Sequence, residues 1–166
     1  MSEENRKAIR ISVRNLVEFV LRSGDIDNRR SGNAQKDAML AGGRIHRKIQ
    51  KRMGSGYRAE VPLKHEVQDE EQEITLLVEG RADGIFTENG IPVIDEIKGM
   101  YTDISRLEEP IEVHLAQAMC YGYFYCCDKD LDGIRLQMTY CNLETEEIKR
   151  FQTDRSREEL ETWFSS

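Results

Sequence analysis

The dipeptide Asn89-Gly90 constrains this chain more than any other feature, because it fixes how two strands must face each other. Asn-Gly accepts the positive φ angles that both central residues of a two-residue type I′ hairpin loop require. It sits between two runs rich in β-branched and aromatic residues, ADGIFTE and IPVIDEIKG. With Asn89 and Gly90 as the loop, Glu88 faces Ile91, and every cross-strand pair has residue numbers summing to 179. That register sets Asp83 opposite Glu96 and Arg81 opposite Lys98. Counting outward, Asp83 and Glu96 fall in a non-hydrogen-bonded pair, with Cα atoms about 4.5 Å apart. Pro92 falls in such a pair too, where its missing N–H points away from the partner strand. A bulge at the glycine would shift the pairing by one residue.

Period-2 alternation sends Glu96 and Lys98 to one face of the hairpin and Asp95 to the other. Ile85, Phe86, Val93, Ile94 and Ile97 make both faces apolar enough to be covered. A solvent-exposed, salt-bridged strand pair would use the same three charged residues, but covered carboxylates need a compensating charge. A divalent cation supplies it, since hard cations take oxygen ligands from Asp, Glu and backbone carbonyls, here including the carbonyl of Ile97. Such an ion acidifies water and offsets charge in phosphoryl transfer. Lys98 beside it would orient that water or stabilise the developing charge. Two carboxylates and a lysine at one point therefore read as a metal-dependent nuclease site.

The remaining elements follow from spacing. Residues 12–22 place apolar side chains at 13, 16, 17, 20 and 21 behind a Ser12 cap, the pattern of a helix. The segment 23–33 is charged and rich in turn-formers, so it is expected to be a loop. Residues 34–53 carry a stripe of Ala38, Met39, Gly42, Ile45, Ile49 and Met53, and Gly54-Ser55-Gly56 stops that helix. Strand signals follow over 59–68, 73–87 and 91–98, a three-stranded meander. Helical spacing returns at 111–127, with Val113, Ala116, Met119, Cys120 and Tyr123 on its core stripe. Residues 133–142 and 146–152 read as strands, and 154–164 as a short helix after Asp154. The order ααβββαββα is that of an α/β (α+β) fold, a central mixed sheet flanked by helices, in one domain over residues 1–166.

A chain of 166 residues with 39% hydrophobic content buries one core. No stretch approaches the roughly 18 apolar residues of a membrane span, and the start MSEENRKAIR lacks the apolar centre of a secretory signal. A cytoplasmic protein with no membrane partner is expected. Cys120, Cys126, Cys127 and Cys141 show no C-x-x-C spacing, and read as reduced thiols rather than a zinc site or disulfide framework. The net charge of −7 opposes phosphate binding, yet it is unevenly spread. Residues 1–65 hold 15 Lys and Arg against 7 Asp and Glu, a balance of +8, while residues 66–166 hold 9 against 24, a balance of −15. The densest basic run places Arg44, Arg47, Lys48, Lys51 and Arg52 within nine residues of one helix. It is either a solvated helix face or a surface that tracks phosphates.

The hairpin constellation Asp83, Glu96-Ile97-Lys98 resembles the PD-(D/E)XK nuclease superfamily, whose core order αβββαβ surrounds it here. Within that superfamily the chain looks most like the RecB-type exonuclease branch. His46 in AGGRIHRKIQ matches the branch's helix histidine upstream of the acidic hairpin. Gln117 and Tyr121 in HLAQAMCYGY match its glutamine and tyrosine on the following helix, at i and i+4 on one face, with His114 a turn ahead. The resemblance covers roughly residues 12–150 and implies a restriction-endonuclease-like core. By it, His46, Asp83 and Glu96 would hold Mg²⁺ or Mn²⁺ and Lys98 would be catalytic. Gln117 and Tyr121 would contact DNA or the attacking water, although a buried glutamine and a core tyrosine would look the same. Arg44, Arg47, Lys48, Lys51 and His114 would contact DNA. Several relatives carry a four-cysteine iron-sulfur cluster with one cysteine upstream of the hairpin. None precedes Cys120 here, so no cluster is expected.

The implied activity is a metal-dependent deoxyribonuclease, an exonuclease on DNA ends or single strands, in DNA repair or recombination. No base-reading module is visible that would make it sequence-specific. Such domains are often fused to helicases, those of the DinG kind included, and this sequence has no P-loop. It would act alone, or as the N-terminal nuclease domain of a longer repair helicase, or with a helicase subunit. The competing readings are a nuclease-fold domain that binds nucleic acid or serves as a scaffold without cutting, and an acidic interaction domain with chance motifs.

Overall fold

A computed structural model describes residues 7–21 and 32–166, the backbone alone for 32–41. The loop read over 23–33 lies outside the described residues except for Gly32 and Asn33, which belong to the second helix instead. The side chains of Ala38 and Met39 lie outside them too. In chain order the elements are strand β1 (Lys7–Ser12), helices α1 (Val13–Leu21) and α2 (Gly32–Arg52), and strands β2 (Arg58–Asp69), β3 (Ile74–Glu88) and β4 (Ile91–Met100). After a single 3₁₀ turn at Ile104–Arg106 come helix α3 (Glu112–Lys129), strands β5 (Gly133–Asn142) and β6 (Ile148–Ser156), and helix α4 (Arg157–Ser165). The architecture is α/β, a six-stranded mixed sheet flanked by helices. It gains at its start the strand β1, which hydrophobic spacing did not reveal.

The hairpin turn forms as its sequence demands, with Asn89 at φ 52° and Gly90 at φ 81°, and the register Glu88↔Ile91 through Gly84↔Asp95 follows. The 15-residue strand β3 is the spine of the sheet. One edge is taken by β2, antiparallel from Arg58↔Ile85 to Asp69↔Ile74. The other edge is shared. β1 runs parallel along Ile74 to Glu79, and β4 runs antiparallel along Gly84 to Glu88. Among the described residues, 80–83 have no strand partner on that edge, so the sheet carries a gap there. Beyond Asp95, β4 leaves β3 and continues in parallel with β5, from Val93↔Arg135 to Met100↔Asn142. The expected pairing of Arg81 with Lys98 is therefore not made: Arg81 faces Pro62 on β2 and Lys98 faces Tyr140 on β5.

Alternation along β4 sorts its residues between two apolar layers. Ile94 joins a core with Val13, Val17, Val78, Ala82, Phe124, Leu136, Met138, Tyr140 and Leu160, under α1, α3 and α4. Ile97 faces α2, in a smaller cluster with Ile45, Ile49 and Cys141. Each fully buried side chain of this size stabilises the fold by about 1.5–3 kcal/mol. Ser12 caps α1 by accepting a bond from the Asn15 amide at 3.0 Å. At the other end Ser156, not Asp154, opens α4, through a reciprocal capping box with Glu159. Asp154 lies within β6 and pairs with Arg135. No described helix is long and apolar enough to cross a membrane.

Candidate active site in the sheet gap

The gap between β1 and β4 on the β3 edge is where Asp83 and Glu96 meet. They stand one step past the last ladder pair, Gly84↔Asp95, so each carboxylate takes over bonds that strand partners would otherwise make. Asp83 Oδ2 accepts the Ile97 amide at 2.7 Å, and Glu96 Oε1 accepts the Asp83 amide at 3.4 Å. The opening is prepared from the other edge as well. Ala59↔Gly84 and Val61↔Ala82 pair normally, while Glu60 and Asp83 between them do not. Glu60 holds the left-handed conformation at φ 55°, which costs a non-glycine residue about 1 kcal/mol or more.

Side chains from two other elements, α2 and α3, and from β4 itself close around this point. From α2, His46 Nδ1 stands 3.7 Å from Asp83 Oδ1. One turn on, Gln50 donates to the Asp83 carbonyl at 2.8 Å and to Glu60 Oε1 at 3.0 Å. From β4, Lys98 Nζ lies 3.9 Å from Glu96 Oε2. From α3, Gln117 Oε1 accepts from Lys98 Nζ at 2.8 Å, and one turn later Tyr121 covers Gly80, where an added Cβ would overlap its phenol. The structure thus gathers His46, Asp83, Glu96, Lys98, Gln117 and Tyr121 around one gap. Ile97 contributes its backbone there while its side chain packs under α2.

Charge in this gap is poorly matched. Glu96 is 3% exposed, and burial together with the Asp83 charge drives its carboxyl well above the usual range. Lys98 and the Asp83 amide offset only part of that. Burial raises Asp83 as well, against the pull of His46, the Ile97 amide and Lys98, and Glu60 adds to the rise. Tyr121 is raised by burial and then by both carboxylates, which places its hydroxyl within their field. Two adjoining carboxyl groups that resist ionisation have room for a proton or for a cation.

The other expected contacts are more dispersed. Arg44, Arg47 and Lys51 are exposed on α2, and Lys48 is ion-paired to Glu146 of the β5–β6 turn. His114 is turned inward, its Nδ1 3.0 Å from the Tyr140 hydroxyl, which also accepts the Ile111 amide. Three residues of the site escaped the sequence reading. Gln50 follows His46 by one turn, and the i, i+4 logic applied to Gln117 and Tyr121 would have found it. Glu60 is placed by a left-handed kink that no residue preference announces. Asp95 was read only as facing away from Glu96. It is 0% exposed and accepts from Tyr57 at 2.7 Å, Thr139 at 2.6 Å and Gln137 at 3.2 Å.

No family model matches this chain, and no curated protein matches it either. Among solved structures, one titled "Crystal structure of SSO0001" superposes with a TM-score of 0.60 at 17% sequence identity. The match covers 86% of this chain and 65% of that one, and the likeness is one of fold.

Proposed function

We propose that this chain is a divalent-metal-dependent deoxyribonuclease of the PD-(D/E)XK kind, of the RecB-like branch, acting as an exonuclease on DNA ends or single strands in repair or recombination. The observation that carries the reading is the meeting of Asp83, Glu96 and Lys98 where β3 and β4 part, with both carboxyl groups pushed up by burial. A purely structural ion pair would bring a cation into close contact, whereas Lys98 stays 3.9 Å from Glu96 and gives its short bond to Gln117.

The donor set suits Mg²⁺ or Mn²⁺: two carboxylates, the Ile97 carbonyl and the His46 imidazole, whose softer nitrogen favours Mn²⁺. Among the described residues no three His, Cys, Asp or Glu side chains already stand in coordinating positions, so the donors would close on the ion. A bound cation would supply charge for the phosphoryl group and an acidified water. Hydrolysis joins the water oxygen to phosphorus and breaks the P–O bond to the leaving sugar oxygen, which takes up a proton. Lys98 faces the negative charge that grows on the phosphoryl oxygens. Gln117 holds the lysine in place through its carbonyl oxygen. Gln50 holds the Asp83 backbone, and the Tyr121 phenol closes the gap beside Gly80 and keeps bulk water from the carboxylates. The protein would work in the cytoplasm, alone or with a helicase domain or subunit.

The test is cleavage of end-labelled single- and double-stranded DNA in Mn²⁺, Mg²⁺ or EDTA, beside Lys98→Ala. Cleavage is expected only with metal, and Lys98→Ala is expected to lower it about 10²–10³-fold. Cleavage that persisted in EDTA or in the variant would overturn the mechanism. Metal-independent binding without cleavage would mark a nuclease-fold binding or scaffold domain.

A further inference from the structure

Directly behind the gap, on the opposite face of β4, lies a buried carboxylate for which neither the fold nor the reaction above has a use. Asp95 is wholly buried, and its side-chain partners among the described residues are Tyr57, Thr139 and Gln137. Both of its oxygens are engaged by neutral donors, Oδ2 by the Tyr57 hydroxyl and Oδ1 by Thr139 and Gln137. A buried carboxylate held only by neutral groups is costly, and an apolar residue of similar size would serve packing at least as well.

Its position suggests what it does. Gly84↔Asp95 is the last rung before β3 and β4 part. Tyr57, at the entrance to β2, lies flat across that rung. Its ring occupies the space a Cβ at Gly84 would need, so only glycine fits. It stacks on Phe86 with centroids 5.7 Å apart, and its hydroxyl reaches over β3 to Asp95 on β4. From Asp95 the bonds continue to Thr139 and Gln137 on β5, and Gln152 of β6 donates to Gln137 at 2.8 Å. One line of hydrogen bonds therefore ties the entrance of β2 across the sheet to β6, exactly one residue short of Asp83 and Glu96. It fixes the last rung beside the bonds that occupy the backbone of the next one, Gln50 to the Asp83 carbonyl and the Ile97 amide to Asp83 Oδ2.

We propose that Tyr57 and Asp95, seated on Gly84, form a clasp that sets the distance between Asp83 and Glu96, and so act as positioning residues for a divalent cation. This rests on the metal-dependent reading above. The clasp also has a signature that needs no metal, since the Ile97 amide is held by Asp83 Oδ2 at 2.7 Å and reports the width of the gap.

The experiment compares the full chain with Tyr57→Phe and Asp95→Asn, and with Ile134→Val, a core change remote from the gap. Three quantities are read: melting temperature, Mn²⁺ affinity by calorimetry, and hydrogen exchange of the Ile97 amide in the metal-free protein. Both clasp variants are expected to weaken Mn²⁺ binding about 10-fold, as loss of a ligand's outer support does, and to speed Ile97 exchange about 10-fold. Ile134→Val is expected to lower the melting temperature while leaving both other readings at the parental value. Parental Ile97 exchange and parental Mn²⁺ affinity in Tyr57→Phe and Asp95→Asn would overturn the clasp, whatever their melting temperatures. If the parent itself bound no Mn²⁺, the nuclease reading would fail, and the exchange measurement alone would decide the clasp.

Discussion

Glu96 is a residue whose charge works against the fold that contains it. Burial and Asp83 hold its carboxyl well above the ordinary range. The stability linked to it is therefore full below the ordinary carboxylate pKa and is lost as pH rises through the raised value. Glu96→Gln removes that titration. At pH 7.5 the metal-free variant is expected to be more stable than the parent by on the order of 1 kcal/mol, with the advantage shrinking towards pH 4.5. Urea denaturation at the two pH values in EDTA measures it, and equal stabilities at pH 7.5 would contradict the charge mismatch. His114 has the opposite linkage. Burial, then Lys98 and Arg14, pull its imidazole down to about 4, so its contribution is full above pH 6.5 and lost as pH falls through about 4. The Tyr140 hydroxyl accepts the Ile111 amide, which leaves its proton free to be donated to an unprotonated Nδ1 3.0 Å away. His114→Gln is expected to flatten the fall of melting temperature between pH 6.5 and 4, though His65, also lowered by burial, keeps some of the slope. Asp83, Glu96 and Lys98 were legible because strand alternation and one turn place them. Asp95 and Tyr57 were not, since nothing local says that a tyrosine will lie across a glycine 27 positions on.

At the scale of elements, what could be read depended on how local the cause was. The β3–β4 hairpin was legible near its turn, since Asn89 and Gly90 both take positive φ and the loop length fixes the five pairs out to Gly84↔Asp95, but not beyond, where the strands part before Asp83 can face Glu96 or Arg81 face Lys98. The strand β1 was not. Its six residues, KAIRIS, are mostly exposed, and they become a strand because β3 extends past its hairpin and offers Ile74 to Glu79 as a parallel edge. That partner lies some 67 positions away, beyond any window of spacing. The start of α4 is an intermediate case, because Asp154 and Ser156 are both good caps by type. The structure gives the role to Ser156, whose hydroxyl accepts the Glu159 amide at 3.0 Å. Ser156→Ala is expected to cost about 1 kcal/mol. Asp154→Ala, which breaks an exposed pair with Arg135, is expected to cost less, within about 0.2–1 kcal/mol. Chemical denaturation of the two variants orders them, and a larger loss for Asp154→Ala would reverse the assignment.

Across the whole molecule the two faces of the sheet divide the work. One face carries α1, α3 and α4 over the larger core. The other is covered at β4 and β5 by α2, the helix that also brings His46 to Asp83. The basic run thus shares its helix with a residue of the gap, and under the proposed function it would give an acidic chain of net charge −7 a local surface for a polyanion. The four cations expected to contact DNA there are not equivalent. Arg44, Arg47 and Lys51 are exposed, whereas Lys48 is matched by Glu146, held below its usual range by that lysine. Each phosphate contact by a free cation releases counterions and steepens the fall of log affinity with log salt by about 0.9 for duplex DNA. Replacing Arg44, Arg47 and Lys51 together by Gln should therefore flatten that slope by about 2–3, while Lys48→Gln should change it by less than one contact's worth. Titrating labelled duplex DNA in EDTA at several salt concentrations measures both. An unchanged slope in the triple variant would exclude α2 as the surface that contacts phosphates.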